Sequence, residues 1–454
     1  MQVHIQETAV VPPSKPPFDG DQILPLSNLD LDRNNDVILR YLRVYANHQP
    51  RQQPPHPFQV ITAALSAALV PYYPFAGNLR RRAEDGLLEL HCHLGDGVPV
   101  VSAVVDCQLS SIDYLDAELE NELTEQLVPN PNPNEDVIQP MMLQVTRFGC
   151  GGFVLGAAIH HAICDGLGAT LCFNAMAELA SGSGRITTDP VWNRSTLLGP
   201  RKPARVEFRI DEFLKFDRGY SPYSDSGKRA LKECFNVEED WLDNLKGLLY
   251  QQSGIKFTTF EALGAFIWRA RTRSCEVPGE EMVTFAYSIN VRKIVNPPLP
   301  NGYWGNGCVP IYIPLLAKDV AEQPIWKTAD SIKKSKLKAT DEYVRSFIDF
   351  QELHYAQGVT RRSRVSGFTD WRHLGHSTVD FGWGSPVAVV PLSRRLLGST
   401  EPCFFLPGKE GGGMVKVLLH LDEDAIPAFR QEMGSKKESA GLLTKEWLLP
   451  SQWQ

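Results

Sequence analysis

The sequence predicts an α/β protein of two domains, and three observations carry that expectation. Its 454 residues exceed what one hydrophobic core usually supports. Short apolar runs edged by glycine and proline alternate with longer segments of helical period along the whole chain. Between Ala180 and Arg205 the composition shifts to Ser-Gly-Ser-Gly followed by Asp189-Pro190, Gly199-Pro200 and Lys202-Pro203, as in a connection between domains. We therefore expect an N-terminal domain over residues 1–190, a crossover over 191–215 and a C-terminal domain over 216–454.

In the first domain, Gln2–Pro12 alternates as a strand does, and Leu26-Ser27-Asn28-Leu29-Asp30 has the composition of a capped turn or helix start. Pro57–Leu69 reads as an apolar helix whose core face runs through Val60, Ala63, Ala64, Ala67 and Ala68, with Pro71 and Pro74 ending it. Strands are expected at Leu87–Leu90, Val98–Val105 and Met141–Phe148, with a proline- and asparagine-rich turn region at Val128–Pro133. Gly152–Ile159 is a further strand, short and glycine-edged, and Leu167–Ala180 has the length and spacing of a buried helix. In the second domain we expect a strand at Val206–Ile210, then amphipathic helices at Val237–Tyr250 and Thr259–Thr272. Further strands are expected at Val283–Ile289, Val309–Ile313, Val387–Pro391 and Met414–Leu421, with a long helix over Ile325–Ser346 and another over Asp422–Met433. No repeat with a period of about 20 to 50 residues is present, which excludes solenoids and propellers.

Composition narrows the function. A formal net charge of −7 and a pI near 5.9 argue against nucleic acid as a partner. Arg80-Arg81-Arg82 and Lys333-Lys334-Ser335-Lys336-Leu337-Lys338 read as solvated faces, with contact to a phosphorylated cofactor as the alternative for the second. The nine cysteines are scattered without a Cys-x-x-Cys pair, so neither a disulfide framework nor a metal site is expected. Residues 1–30 lack the pattern of a secretory signal, and no run of about 18 uncharged apolar residues occurs. A cytoplasmic protein with no membrane contact is the expectation, and the sequon Asn193-Arg194-Ser195 is read as chance.

The chemistry concentrates at His160-His161-Ala162-Ile163-Cys164-Asp165-Gly166, where the strand ends and the helix begins. A neutral histidine on so rigid a corner can take a proton from a hydroxyl or amine as that group attacks a carbonyl. Asp165 could orient the imidazole, but it is also well placed to cap the helix or pair with an arginine, and that structural role is the favoured one. Adjacent residues at a strand end face opposite ways, so only one of His160 and His161 can serve a given cleft. Cys164 suits packing better than nucleophilic attack, and no Gly-x-Ser-x-Gly elbow is present.

A second motif, Asp380-Phe381-Gly382-Trp383-Gly384, lies about 215 residues downstream. Together with His161-Ala162-Ile163-Cys164-Asp165-Gly166 it resembles the paired signatures of the BAHD acyltransferases, the plant acyl-CoA-dependent family. Tyr73-Pro74-Phe75-Ala76-Gly77-Asn78-Leu79, Thr259-Phe260-Glu261-Ala262-Leu263 and Asn296-Pro297-Pro298-Leu299-Pro300-Asn301-Gly302-Tyr303-Trp304-Gly305-Asn306 extend the resemblance over nearly the whole length. It implies a monomer of two chloramphenicol-acetyltransferase-like domains, with mixed sheets flanked by helices and joined by a crossover loop. Acyl-CoA would be the co-substrate, with no bound cofactor. His161 would be the general base between donor and acceptor, attack being direct, without an acyl-enzyme. Asp165 would turn away to bind Arg292, in a segment where the family often has Asp at the position of Asn290, and Gly166 would complete the corner. Asp380, Gly382, Trp383 and Gly384 would be structural. Lys256, Thr258 and Thr259 would lie near CoA, and Thr369 and Trp371 on the acceptor side, where Asp370 replaces a common serine.

Val145–Phe153 and Asn296–Leu299 look most like the branch containing benzoyl, taxoid and volatile-alcohol acyltransferases. The expected function is transfer of an aromatic acyl group such as benzoyl or hydroxycinnamoyl, or an aliphatic one such as acetyl, from CoA to a hydroxyl or amine of a plant specialised metabolite. A condensation-domain-like amide-forming enzyme and a non-catalytic small-molecule-binding relative are the alternatives. The first would be expected to bring a carrier or adenylation module, and the second to lose His161.

Overall fold

The strand Phe153–His160 is apolar over nearly its whole length because all eight residues are buried, on both faces of the sheet. It lies within a six-stranded mixed sheet in the order His4–Val11, Val98–Val105, Met141–Phe148, Phe153–His160, Ile38–Tyr45, Ala388–Pro391. Only Val98–Val105 and Met141–Phe148 run parallel; the other neighbours are antiparallel. The computed structural model describes residues 1–47, 56–115, 122–131, 136–208, 230–354, 364–393, 402–408 and 414–434.

A second six-stranded mixed sheet is ordered Ala230–Val237, Val415–Asp422, Cys403–Pro407, Arg364–Asp370, Met282–Asn290, Cys308–Leu316. Its two parallel pairings flank Arg364–Asp370. A small antiparallel sheet joins Gln22–Leu24, Leu88–Cys92, Asn78–Arg81 and Val137–Ile138. Helices Pro57–Ala68 and Gly166–Ala180 pack together on the first sheet, and Thr259–Ser274 packs against Ile325–Ser335 on the second. The fold is thus α/β with two mixed sheets flanked by helices.

The sheets do not divide cleanly between the halves of the chain, since Ala388–Pro391 pairs with Ile38–Tyr45. The described part of the crossover is packed rather than loose. Val191 donates its N–H to the Gly302 carbonyl, Arg194 and Leu198 are buried, and Arg201 binds Asp349 and Glu342. The expected boundary at 215/216 lies outside the described residues.

Several expected elements are corrected. The strand over Val206–Ile210 is absent from its described residues 206–208, and the strand that begins the second sheet is Ala230–Val237. Ile325–Ser346 is not one helix: it breaks after Ser335, passes through a short 3-10 turn, and restarts at Asp341 where the Thr340 hydroxyl accepts the Tyr343 N–H at 3.2 Å. The buried face of Pro57–Ala68 runs through Phe58, Ile61, Ala64, Leu65 and Ala68. That is about one position away from the expected alanine-rich face, because the larger side chains take the core. Asp422 closes a strand, and the helix proper is Ile426–Glu432. In the turn region expected at Val128–Pro133, residues 132 and 133 lie outside the described residues.

Candidate active site

The motif strand delivers His161 to the point where the chain leaves the first sheet. The His161 N–H donates to the Val37 carbonyl at 2.8 Å, and its own carbonyl accepts from Asn306 Nδ2 at 2.7 Å, so the backbone is held from both sides. Its Nδ1 is buried with no hydrogen-bond partner among the described residues, while the residue keeps partial exposure. Burial lowers the imidazole pKa below 6.5, against an opposing pull from the Asp165 charge, and favours the neutral form near pH 7. His160 faces the other way. It is fully buried, its Nδ1 accepts the Ala162 N–H, and its Nε2 lies 3.4 Å from Asp36.

Asp165 is the N-cap of helix Gly166–Ala180 and accepts the Gly168 N–H at 2.9 Å. Arg292 donates to both of its oxygens, at 2.8 and 2.9 Å, and the Gly307 N–H adds a bond at 2.9 Å. Burial alone would push this carboxyl up; the charge and hydrogen bonds of Arg292 with the two N–H groups bring it down to about 2. Both oxygens are therefore committed away from the imidazole. Asn290, where the family often has aspartate, accepts the Arg292 N–H at 3.0 Å and shapes that turn. Gly168 is required by contact: a Cβ there would collide with the Trp304 carbonyl.

Beneath the corner lies a buried polar core that the motifs do not announce. Asp30 accepts from the Asn306 N–H and Nδ2, both at 2.9 Å, from the Ser27 N–H at 2.8 Å and from the Ser27 hydroxyl at 2.7 Å. Arg194 Nη1 lies 3.2 Å from Asp30, and its guanidinium sits 3.8 Å from the Trp192 ring centroid. Asn306 thus couples Asp30 to the carbonyl of His161. Asn306 falls in a segment that marks the resemblance and Asp30 in the expected capped turn, but nothing in their spacing shows that they meet.

The other expected residues form separate groups. The Asp380 carboxylate accepts the N–H groups of Gly382 and Gly384, at 2.7 and 2.8 Å, and both glycines have positive φ. This loop presses Trp383 against Phe153 and Phe381 against Tyr45, so it braces the first sheet from a distant stretch of chain. Thr258 caps helix Thr259–Ser274 in a reciprocal box with Glu261. Lys336 reaches Glu261 at 2.5 Å, and Lys333 donates to the Lys256 carbonyl at 2.8 Å, so the basic run gathers at this helix N-terminus. Thr369 lies in strand Arg364–Asp370, and Trp371 follows it, nearly buried against Tyr41, His376 and Phe404. Asp370 is paired with Arg372 at 2.6 Å. Among the described residues no cluster of His, Cys, Asp and Glu could hold a metal ion, and no helix is long and apolar enough to cross a membrane.

Two mixed sheets whose strand ends meet through a His-x-x-x-Asp corner define an acyl-CoA-dependent acyltransferase. The family model described as the Transferase family matches residues 1–436, and the chain belongs to this family, the BAHD acyltransferases. A spermidine coumaroyl-CoA acyltransferase of Arabidopsis thaliana is 33% identical over 442 residues, covering 92% of each chain. A taxadien-5-alpha-ol O-acetyltransferase of Taxus chinensis is 31% identical over 440 residues, covering 95% of this chain and 96% of the relative. The crystal structure of vinorine synthase has the same fold, with a TM-score of 0.73 at 20% identity over 94% of this chain and 96% of that one. Acyl-CoA is accordingly the co-substrate, and the condensation-domain alternative gives way to the family.

Proposed function

We propose that the protein transfers an acyl group from its CoA thioester directly to a hydroxyl or amine of a small plant metabolite, with His161 as general base. The neutral imidazole takes the acceptor proton as the oxygen or nitrogen attacks the thioester carbonyl. The tetrahedral intermediate then collapses, the C–S bond breaks, and CoA leaves as thiolate, which the protonated His161 can neutralise. One observation carries this reading. Asp165 spends its oxygens on Arg292, Gly168 and Gly307, which leaves His161, whose Nδ1 has no hydrogen-bond partner among the described residues, as the base at the corner. A carboxylate held at about pKa 2 is a poor proton acceptor, so Asp165 anchors the corner and does not relay charge.

The same reading assigns the N-terminus of helix Thr259–Ser274 to CoA. Lys256, Lys333 and Lys336 bring positive charge to the helix start at Thr259, which suits phosphate, while the Thr258 hydroxyl serves as the cap. Thr369 and Trp371 line the acceptor side. The relatives' names cover both an amine, spermidine, and an alcohol, taxadien-5-alpha-ol, and His161 can serve either. The protein is read as a cytosolic monomer of two domains, joined by the crossover.

His161→Ala tests the assignment. Turnover should fall by about 10²- to 10⁴-fold while CoA affinity by calorimetry stays unchanged, and near-normal turnover would remove His161 from the chemistry. A matrix of acyl-CoA donors against alcohols and amines, read by mass spectrometry, identifies the substrates.

A further inference from the structure

Beside the motif strand, Ile38–Tyr45 places Tyr41, Arg43 and Tyr45 opposite Ala157, Leu155 and Phe153, on the sheet face that carries helix Gly166–Ala180. Arg43 is 0% exposed. Its Nη1 donates to the Tyr41 hydroxyl and its Nη2 to His376 Nδ1, both at 3.2 Å, and its guanidinium carbon lies 4.1 Å from the Phe173 ring centroid. No carboxylate pairs with it among the described residues. Since arginine only donates, His376 Nδ1 must accept and its hydrogen is on Nε2. Neither that buried Nε2 nor the buried Nε of Arg43 has a hydrogen-bond partner among the described residues. Burial first, and then the Arg43 charge, holds the His376 pKa down to about 3, so His376 is neutral.

The cluster therefore combines two unmet donors with a positive charge that no carboxylate offsets among the described residues, and its field favours a negative charge nearby. Its position suggests which ligand. The Trp371 ring lies 5.9 Å from that of Tyr41 and 5.2 Å from that of His376, so the cluster backs the acceptor side. The His161 N–H pairs with Val37, six residues from Arg43, which is roughly 20 Å along the strand at about 3.3 Å per residue. An elongated acceptor that presents its nucleophile to His161 would bring its other end toward Arg43.

We propose that Arg43 and His376 form an anion-favouring pole at the remote end of the acceptor side, selecting alcohols that are carboxylate-bearing or neutral there and rejecting polyammonium acceptors. The proposal deepens the reaction proposed above and rests on its placement of Trp371. A ligand charge about 10 Å from the guanidinium, at an effective dielectric near 20, changes affinity by roughly tenfold.

The test uses three primary alcohols of equal chain length, ending in carboxylate, methyl or trimethylammonium, with the acyl-CoA donor that turns over fastest. The wild-type kcat/KM should fall in that order over roughly 100-fold. Arg43→Met keeps the length and removes the charge, and should collapse the span to within about threefold, with the melting temperature recorded alongside. His376→Gln, which leaves the charge in place, should preserve the order. A flat or reversed wild-type order overturns the pole even if Arg43→Met fails to fold, as does a span that survives in a folded Arg43→Met. Absence of transfer to any alcohol or amine would instead defeat the underlying reaction, and the pole with it.

Discussion

Arg292 and Arg43 both pack against helix Gly166–Ala180, one at its N-terminus and one beside Phe173, yet their surroundings differ in kind. Arg292 has a carboxylate, two carbonyl acceptors and a bidentate geometry. Arg43 has a phenol, an imidazole nitrogen and two ring faces. A buried charge that is fully partnered serves the fold; one that no described carboxylate offsets is what the proposed pole would use. The first lesson is that burial alone does not make a charge structural.

The sharpest way to break this comparison is to delete each charge with the same side chain. Arg292→Met strands Asp165 in a buried setting and should cost about 3–5 kcal/mol in denaturant unfolding. Arg43→Met strands no buried charge; the loss of its bonds to Tyr41 and His376 opposes the relief of its own desolvation, so stability should change by less than about 1 kcal/mol in either direction. Equal losses would mean that Arg43 is as structural as Arg292.

Acid separates the two sites further. His376 is held neutral with a pKa near 3, below its ordinary 6.5, so the unfolded chain takes up that proton first. Stability should therefore fall as pH drops below about 6.5 and continue to fall until about 3. Asp165, held near 2 against an ordinary 3.8, contributes stability that is present above 3.8 and lost as pH falls toward 2. Asp32 opposes the first loss: burial raises it to about 6, so between 6 and 3.8 the folded chain binds the extra proton. In urea titrations His376→Gln should flatten the slope between about pH 6.5 and 4, whereas Arg292→Met should not. A slope unchanged in His376→Gln would mean that other groups dominate that window.

The smallest expected effect lies at the bracing loop. Asp380 is exposed, so Asp380→Ala should cost only about 1 kcal/mol through its two N–H partners, with kcat/KM nearly intact. A large loss of activity at native stability would give that loop a role beyond bracing.

How much of this was legible depended on which physical signal each segment carries. Strands that alternate or end at glycine, such as His4–Val11 and Phe153–His160, were readable. Ile38–Tyr45 was not, because arginines at 40 and 43 interrupt an otherwise apolar run that is buried on both faces from Tyr41 onward. Arg40 is held by Pro129 and Glu125, and Arg43 is buried beside Tyr41 and His376, so neither marks a surface. The break before Asp341 did have a signal, Thr340-Asp341, hidden inside a helical period. Within the site, His161, Asp165 and Arg292 were expected together and are found within one hydrogen-bonded corner. Asp30, Asn306 and His376 were not named, since their partners lie 276, 145 and 333 residues away and no local pattern encodes such distances.

The strand Ala388–Pro391 has a temporal meaning as well as a spatial one. During synthesis, the motif strand ending at His160 is complete long before the chain reaches residue 388. At about 5–20 residues per second, the open edge of Ile38–Tyr45 waits roughly ten to fifty seconds for its last neighbour. A nascent chain in that interval leaves this strand edge without its native neighbour, an edge of the kind that folded proteins keep covered.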